Sequence, residues 1–336
     1  MSAALPAAAP RGAPRLRLDA RHLPLAVTVG LLLALLIVGG VRYPGFFTLQ
    51  VMLNLLIDNA FLCIVATGMT FVILTGGIDL SVGAVAALTT MISAVLLRQH
   101  ASPLLVIPLV LLLGALYGGV QGVLIERCRL QPFMVTLAGM FLARGLCYVI
   151  STESIVISAP FYAAVAQLRV PLLAQASLSV GALLALLVVG AGAWLAHASE
   201  FGRTVYAIGG SEASALLMGL PVRSTLVGVY ALSGACAALG GVVITFDMQS
   251  GYGQHAAGLE LDAIAAVVIG GTMLRGGTGY VLGSFVGVLI LGVILTLITF
   301  DGTLNSWWTR IAIGALLLAF CLLQRLQGRG GRKETR

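Results

Sequence analysis

Residues 281–298 read VLGSFVGVLILGVILTLI, an apolar run without a charged side chain. A helix needs about 20 apolar residues to cross a bilayer, whereas a membrane strand alternates apolar and polar residues over about 10 positions. Because this run does not alternate, it predicts a membrane helix whose backbone polar groups are satisfied within the segment. Comparable runs occur at residues 28–41, 61–74, 103–116, 180–195 and 311–323.

The composition of the whole chain is that of a membrane protein. Of its 336 residues, 59% are hydrophobic and 9% are charged, against about 25% charged residues in a soluble domain. So few charges cannot cover a surface in water, which excludes a soluble globular protein, a disordered chain and a coiled coil. A nucleic-acid partner is excluded because no structured basic face exists. We therefore expect an all-α polytopic membrane protein.

The apolar runs and the breaks between them predict about ten membrane helices. Their expected bounds are 24–41, 51–75, 79–97, 103–125, 132–150, 177–197, 225–246, 259–274, 279–299 and 307–324. A transmembrane domain over residues 24–324 then lies between two basic tails, 1–23 and 325–336. No small-residue cleavage site follows the first apolar run, so we expect that run to be a retained span and not a signal peptide.

The basic residues predict the orientation of the spans. With an even number of spans both tails lie on one side, and 14 Arg and Lys residues fall on that side. Only three, Arg42, Arg98 and Arg169, fall in the opposite connections. Because basic connections remain in the cytoplasm, we expect both termini to be cytoplasmic. The tails would also contact anionic membrane lipid.

The long connection at residues 198–224 has a helical pattern of its own. Gly209-Gly210 predicts a turn, and Ser211 predicts an N-cap followed by an acidic first turn with Glu212. Ala213–Met218 predicts a short helix, which Gly219 and Pro221 bring to an end. A short helix on the cytoplasmic face is expected. It is either an ordinary surface helix or a docking element that presents a small, Ala-rich face to a partner.

Two glycine-rich stretches separate apolar helices and leave almost no room for a loop. They are TGGIDLSVG at residues 75–83 and GGTMLRGGTG at residues 270–279. Each is either a tight helical hairpin or a broken helix that lines a transport path, as in many transporters. Asp58, inside the second predicted span, is either satisfied by a neighbouring helix or lines the same path.

The sequence lacks the residues that would make this chain an enzyme. A phosphate-binding P-loop ends in Gly-Lys-Ser/Thr, but the single lysine, Lys333, lies between Arg332 and Glu334. There is no HExxH or CxxC motif and no plausible Ser-His-Asp set, and the five cysteines do not have metal-ligand spacing. We therefore expect no catalytic residue, no metal and no cofactor. If ATP drives transport, a separate chain hydrolyses it.

Three motifs resemble those of ribose-type carbohydrate ABC importer permeases, in matching order and spacing along residues 43–323. They are MTFVILTGGIDLSVG at 69–83, FGRTVYAIGG at 201–210 followed by Gly219, and LDAIAAVVIGGT at 261–272. Within that family, three further stretches look closest to a permease of the bacterial galactofuranose importer. They are YPGF at 43–46, LAGMF at 137–141 and FDGTLNSWW at 300–308.

The resemblance implies an inner-membrane permease that imports galactofuranose or a related monosaccharide. Its partners would be a sugar-type ABC ATPase, a periplasmic sugar-binding protein and a second permease, in a heterodimer or a homodimer. The loop at 198–224 would carry the coupling helix that fits a cleft of the ATPase. The coupling residues would be Gly202, Arg203, Gly209, Gly210, Ser211, Glu212, Ala213, Ala215 and Gly219.

A path for a neutral sugar needs few polar groups. The candidates for lining or gating it are Asp58, Asn59, Gly76, Gly77, Asp79 and Ser81. Four acids expected to cluster at outer span ends would receive basic residues of the binding protein, or would be ordinary interfacial charges: Asp247, Glu260, Asp262 and Asp301. Two other functions remain open at this point. One is an ion-coupled secondary sugar carrier that acts alone, and the other is a membrane scaffold that transports nothing.

Overall fold

The structure is a computed structural model that describes residues 23–173, 176–303 and 307–330. The predicted tails therefore lie largely outside the described residues. The helices, numbered along the chain, are α1 (Leu23–Arg42), α2 (Leu49–Asp58), α3 (Ala60–Leu74), α4 (Val82–Arg98), α5 (Pro103–Arg127), α6 (Pro132–Ile150), α7 (Pro160–Gln167), α8 (Val180–Ala198), α9 (Glu200–Gly210), α10 (Glu212–Leu217), α11 (Val222–Met248), α12 (Leu259–Ile269), α13 (Val281–Asp301) and α14 (Trp307–Gly330).

The predicted class, a helical polytopic membrane protein, agrees with these elements. In the described part of the chain, six helices are long and apolar enough to cross a membrane: α1, α5, α6, α8, α11 and α13. A seventh span results if α2 and α3, which meet at an angle of 54°, are counted together. Helix α4 and residues 307–322 are shorter apolar helices, and α12 has only 11 residues. Length and composition thus support six or seven spans.

Helix α11 lies at the centre of the molecule and packs against α3, α4 and α5. Its contact with α5 is made through glycines. A Cβ atom at Gly118 would overlap the Tyr230 carbonyl oxygen, and one at Gly234 would overlap the Gly114 carbonyl oxygen. Small residues allow membrane helices to approach this closely, which increases the van der Waals contact between them. The α5–α11 pair is therefore specified by its glycines.

A second group of helices consists of α12 and α13 with α1 and α8 around them. Here too the backbones touch, since a Cβ atom at Gly287 would overlap the Ala266 carbonyl oxygen. The Thr28 hydroxyl of α1 donates to the Ile269 carbonyl at the end of α12, with an O···O distance of 2.7 Å. Helix α3 contacts both groups and is almost completely buried, from Leu62 to Leu74.

In the described residues there are four short strands, three in connections predicted to face outward and one, β3, at the start of the predicted span 177–197. Strand β1 (Ile155–Val156) pairs antiparallel with β4 (Ser250–Gly251), and β2 (Arg169–Leu173) pairs antiparallel with β3 (Ala176–Ser179). The β1–β4 pair joins the connection after α6 to the end of α11. Beyond β4, residues 252–258 form no helix before α12 begins at Leu259.

Candidate functional site

The short helix predicted in the long connection exists as α10. The Ser211 hydroxyl caps it by accepting a hydrogen bond from the Ser214 amide at 3.2 Å. Gly219 follows the helix with φ +74°, and the Leu220 amide donates to the Ala215 carbonyl at 3.1 Å. This is the Schellman arrangement, for which glycine is favoured because it adopts a left-handed backbone without strain. The cap and the stop are confirmed, with the helix at Glu212–Leu217.

The predicted turn at Gly209-Gly210 is wrong. These two glycines are the last residues of α9, an 11-residue helix that starts at Glu200. Ser199 caps α9 by accepting a hydrogen bond from the Gly202 amide at 3.0 Å. The break between α9 and α10 falls at Ser211, whose backbone is extended with φ −168°. Glycine is common in turns, whereas here Gly209 packs closely against other backbone segments from within a helix.

The surface of α10 also differs from the predicted small-residue face. Ala215 is buried against Ile208 and Val222 of the same chain and cannot contact a partner. The exposed side chains include Leu217 and Met218, with relative exposures of 90% and 66%. Ala213 and Gly219 are exposed as predicted. A helix of six residues is too short for its periodicity to show which side faces inward, so the sequence did not single out the two large apolar residues.

Three glycine pairs that are far apart in the sequence meet at one place, which we call the glycine junction: Gly76-Gly77, Gly209-Gly210 and Gly276-Gly277. The Gly277 amide donates to the Leu74 carbonyl at the end of α3, at 2.9 Å. A Cβ atom at Gly209 would overlap both the Leu74 carbonyl oxygen and the Gly277 nitrogen. The end of α9 therefore touches both glycine-rich breaks through backbone atoms.

Side chains of α8 and α9 reinforce the contact with the second break. The Tyr206 hydroxyl donates to the Gly279 carbonyl at 2.8 Å. Burial raises the pKa of Tyr206 to about 12, so the phenol remains a donor at physiological pH. The His197 ring stacks on Tyr280 with a centroid distance of 5.6 Å and an interplanar angle of 9°. Helix α9 is thus held against residues 276–280 by packing and by hydrogen bonding.

The remaining coupling candidates have different environments. Gly202 is buried where α8 meets α9, and a Cβ atom there would overlap the Ala196 carbonyl oxygen. Arg203 is exposed and pairs with Glu200 at 3.8 Å. Glu212 at the start of α10 pairs with Arg129, with 3.3 Å between nitrogen and oxygen. Exposed ion pairs contribute at most about 1 kcal/mol, so these charges add little to the stability of the connection.

The first glycine-rich break continues into a buried polar cluster around Asp79, whose relative exposure is 1%. One carboxylate oxygen accepts from the Ser81 amide at 2.9 Å and from the Ser81 hydroxyl at 2.7 Å. The other accepts from the Ser233 hydroxyl of α11 at 2.8 Å. Burying a carboxyl group without partners is costly. These hydrogen bonds offset that cost and connect the break to the central helix.

The six path candidates lie in two separate regions. Gly76, Gly77, Asp79 and Ser81 belong to the first break, after α3 ends. Asp58 and Asn59 lie before α3 begins, and a 15-residue helix is about 22 Å long at 1.5 Å per residue. Asp58 is exposed, whereas Asn59 is buried and donates to the Leu55 carbonyl at 2.9 Å.

The four acids expected at outer span ends have different surroundings. Asp301 is 3.7 Å from Arg42 and accepts a hydrogen bond from Tyr43. Asp262 pairs with Arg310 at 2.7 Å. One carboxylate oxygen of Glu260 is buried, and Asp247 remains exposed. Asp301 and Asp262 are thus partly neutralised within the chain, and a role of the four acids in docking a binding protein stays a prediction.

In the part of the chain that the structure describes, no three His, Cys, Asp or Glu side chains come together in a way that would hold a metal ion. Helix α10, the glycine junction and the buried Asp79 cluster are the features that bear on function. They connect the short helix α10 to breaks between buried apolar helices.

Comparison with known proteins defines the class to which such an arrangement belongs. Residues 51–321 match the family model described as "Branched-chain amino acid transport system / permease component". The chain belongs to this family of ABC importer permeases, and its relatives include permeases for sugars. Such permeases are not enzymes, and the ATPase is a separate subunit. They work with that ATPase and with a periplasmic binding protein.

Several relatives match nearly the full length of the chain. The inner membrane ABC transporter permease protein YjfF of Escherichia coli is 50% identical over 306 residues, which cover 91% of this chain and 92% of YjfF. The fructose import permease protein FruG of Bifidobacterium longum is 41% identical and covers 95% of both chains. The ribose import permease protein RbsC of Escherichia coli is 36% identical over 86% of this chain and 90% of RbsC. No solved structure matches the chain.

Proposed function

We propose that this chain forms the translocation path of an ATP-driven importer for galactofuranose or a related monosaccharide, together with a second permease. The observation that carries the proposal is the connection between α10 and the glycine junction. Leu217 at the end of α10 and Met218 directly after it are exposed to a partner, and α9 links α10 to both breaks through Gly209. A docking helix without such a connection would be an ordinary surface helix.

The connection supports a mechanism for coupling. Closure of the ATPase dimer on ATP displaces α10, whose apolar side chains are seated in the ATPase cleft. Because Gly209 contacts backbone atoms of Leu74 and Gly277, there is little free space at the junction to absorb the displacement. Closely packed protein transmits small shifts and does not deform continuously. The second break, between the end of α12 and the start of α13, then shifts relative to the end of α3 and changes access to the path.

The path itself would be built from about ten spans, four of them shortened or broken. Helices α4 and α12 each follow a non-helical stretch, which supports broken spans at those places. Residues 1–23 and 325–336 would be cytoplasmic basic tails on either side of the permease domain at 24–324. A cysteine at Ser2 would then react with an impermeant thiol reagent only in inverted vesicles, and its reaction on intact cells would count against this orientation.

The choice of galactofuranose rests on the stretches at 43–46, 137–141 and 300–308. Relatives named for ribose and fructose support a monosaccharide in general. The binding protein would bring the sugar to the outer face, where Asp247 is the exposed acid available to receive a basic residue. A secondary carrier acting alone, or a scaffold, would leave the docking helix without a role.

The direct test of the docking surface is Leu217→Asp. The substitution places a charge at the most exposed apolar position of α10 without changing the buried Ala215 contact. We expect binding of the ATPase and sugar-stimulated ATP hydrolysis to fall together by about tenfold, which corresponds to about 1.4 kcal/mol. The matched control is Val156→Asp in an outer strand, where the relative exposure is 68%. Wild-type ATPase binding by Leu217→Asp would show that α10 is not the docking element.

A further inference from the structure

A cavity of about 380 Å³ lies between the bend at the α2–α3 boundary and helices α12, α13 and α14. Ligand-binding cavities typically measure about 300–1,000 Å³. Its lining combines apolar side chains with the aromatic ring of Trp307 and with four polar side chains, those of Asn59, Asp262, Thr309 and Arg310. The size and the mixed lining distinguish this cavity from a simple packing gap between membrane helices.

The polar groups of the cavity are held in place but are not fully used. The Arg310 guanidinium donates to Asp262 at 2.7 Å, and the two side chains keep exposures of 51% and 23%. The Thr309 hydroxyl is buried and has no hydrogen-bond partner among the residues that the structure describes. Buried polar atoms are rarely left unpaired in native proteins. The partly exposed Arg310 and Asp262 side chains therefore remain accessible to a ligand, and a rotation of the Thr309 side chain would let its hydroxyl donate as well.

The aromatic residue provides a second kind of contact. Trp307 is at the start of α14 with a relative exposure of 73%, so much of its indole is free. A sugar ring has an apolar face of C–H groups that stacks on an aromatic ring, and its hydroxyls pair with amide, carboxylate and guanidinium groups. An isolated ion would not use the indole, and a lipid acyl chain would leave the polar wall unsatisfied.

From these contacts we infer that the cavity is a weak binding subsite for a monosaccharide on its way through the chain, with Trp307 as the stacking surface. This inference rests on the proposed function and names the residues that contact its substrate. Asn59, the Asp262–Arg310 pair and Thr309 bind the hydroxyls. A weak site suits an importer in which the binding protein supplies the affinity, because a tight site would slow release.

The first test measures binding on the purified full chain. The chain has three tryptophans, so Trp194→Phe with Trp308→Phe leaves Trp307 as the only indole. D-galactose and D-ribose, titrated into the millimolar range, are expected to change its fluorescence saturably. Sorbitol, which has hydroxyls but no ring, is expected to cause no such change. Absence of a saturable change with either sugar, or an equal response to sorbitol, would overturn the subsite.

The second test measures transport by the complete importer in vesicles. Trp307→Ala is expected to lower ATP-driven sugar uptake by about tenfold, the loss of one good aromatic contact, whereas the neighbouring Trp308→Ala stays near wild type. Asn59→Ala is expected to lower uptake and to weaken the fluorescence response, with the exposed Asn54→Ala as its control. Unchanged uptake by Trp307→Ala would contradict the inference. Failure of the wild-type importer would instead count against the proposed function, and the fluorescence titration would still decide the subsite.

Discussion

The two glycine-rich breaks are alike in sequence but differ in their surroundings. Both have glycines at positive φ, such as Gly76 at +82° and Gly277 at +76°, and they are joined by the hydrogen bond from Gly277 to Leu74. The first break then enters the core, where Asp79 is hydrogen-bonded to Ser233 of the central helix α11. The second break instead contacts α9 through Tyr206.

This difference assigns separate roles to two similar motifs. The first break is anchored to the core by Asp79, so it is suited to serve as a fixed reference. The second break is connected to the docking helix and is suited to move with it. Variants of the two regions are therefore expected to have different effects: loss of coupling at the junction with α9, and loss of stability at Asp79.

The largest effect is expected for Gly209→Leu. Its side chain would overlap the Leu74 carbonyl oxygen and the Gly277 amide, so α9 would have to separate from both breaks. Overpacking of this kind costs about 1–3 kcal/mol, and the upper end corresponds to a loss of uptake of about 100-fold. The control is Gly210→Ala, where a Cβ atom meets nothing within 4 Å. ATP-driven uptake near the wild-type rate in Gly209→Leu would show that the junction does not transmit movement.

A smaller effect, on stability and not on coupling, is expected for Asp79. Asp79→Ala leaves the Ser81 amide and the Ser233 hydroxyl without their acceptor, at about 1–3 kcal/mol for each buried group left unpaired. The midpoint of thermal unfolding in detergent should fall clearly in Asp79→Ala and less in Asp79→Asn, which keeps an acceptor oxygen. Sugar-stimulated ATP hydrolysis per folded Asp79→Asn complex should stay within about twofold of wild type. If the Asp79 variants lost the stimulation of ATP hydrolysis by sugar while their thermal unfolding midpoint stayed unchanged, the first break would be the one that transmits movement.

The smallest effect is expected for Tyr206→Phe, which removes one hydrogen bond, to the Gly279 carbonyl. A net loss of about 1 kcal/mol corresponds to roughly a fivefold decrease in sugar-stimulated ATP hydrolysis. Tyr148→Phe on the exposed side of α6 is the control and should be neutral. If sugar-stimulated ATP hydrolysis is the same in Tyr206→Phe and Tyr148→Phe, the hydrogen bond from Tyr206 does not help to hold the second break.

The sequence predicts the features that depend on local pattern. Apolar runs locate the helices because each span must satisfy its own backbone, and Ser211 and Gly219 mark the ends of α10 because cap chemistry is local. Contacts between distant residues are different. The hydrogen bond between Asp79 and Ser233 joins positions 154 residues apart, and no local pattern reveals it.

The incorrect predictions have the same origin. The turn predicted at Gly209 rests on the frequency of glycine in turns, whereas Gly209 lies in a helix and fits between Leu74 and Gly277. The small size of Ala215 predicts a position on the docking face, but in the structure Ile208 and Val222 cover this residue. Trp307 and Arg310 gave no signal as ligand-binding residues, since their proximity to Asn59 arises from the packing of α14 against distant helices.

The most direct measurement is ATP-driven sugar uptake in vesicles that contain this chain. Uptake should require the ATPase, the second permease, the sugar-binding protein and ATP on the ATPase side, and omission of any one should abolish it. The chain alone has no P-loop and should accumulate no sugar under any ion gradient. Accumulation by the chain alone, without ATP, would contradict its assignment as the permease subunit of an ATP-driven importer.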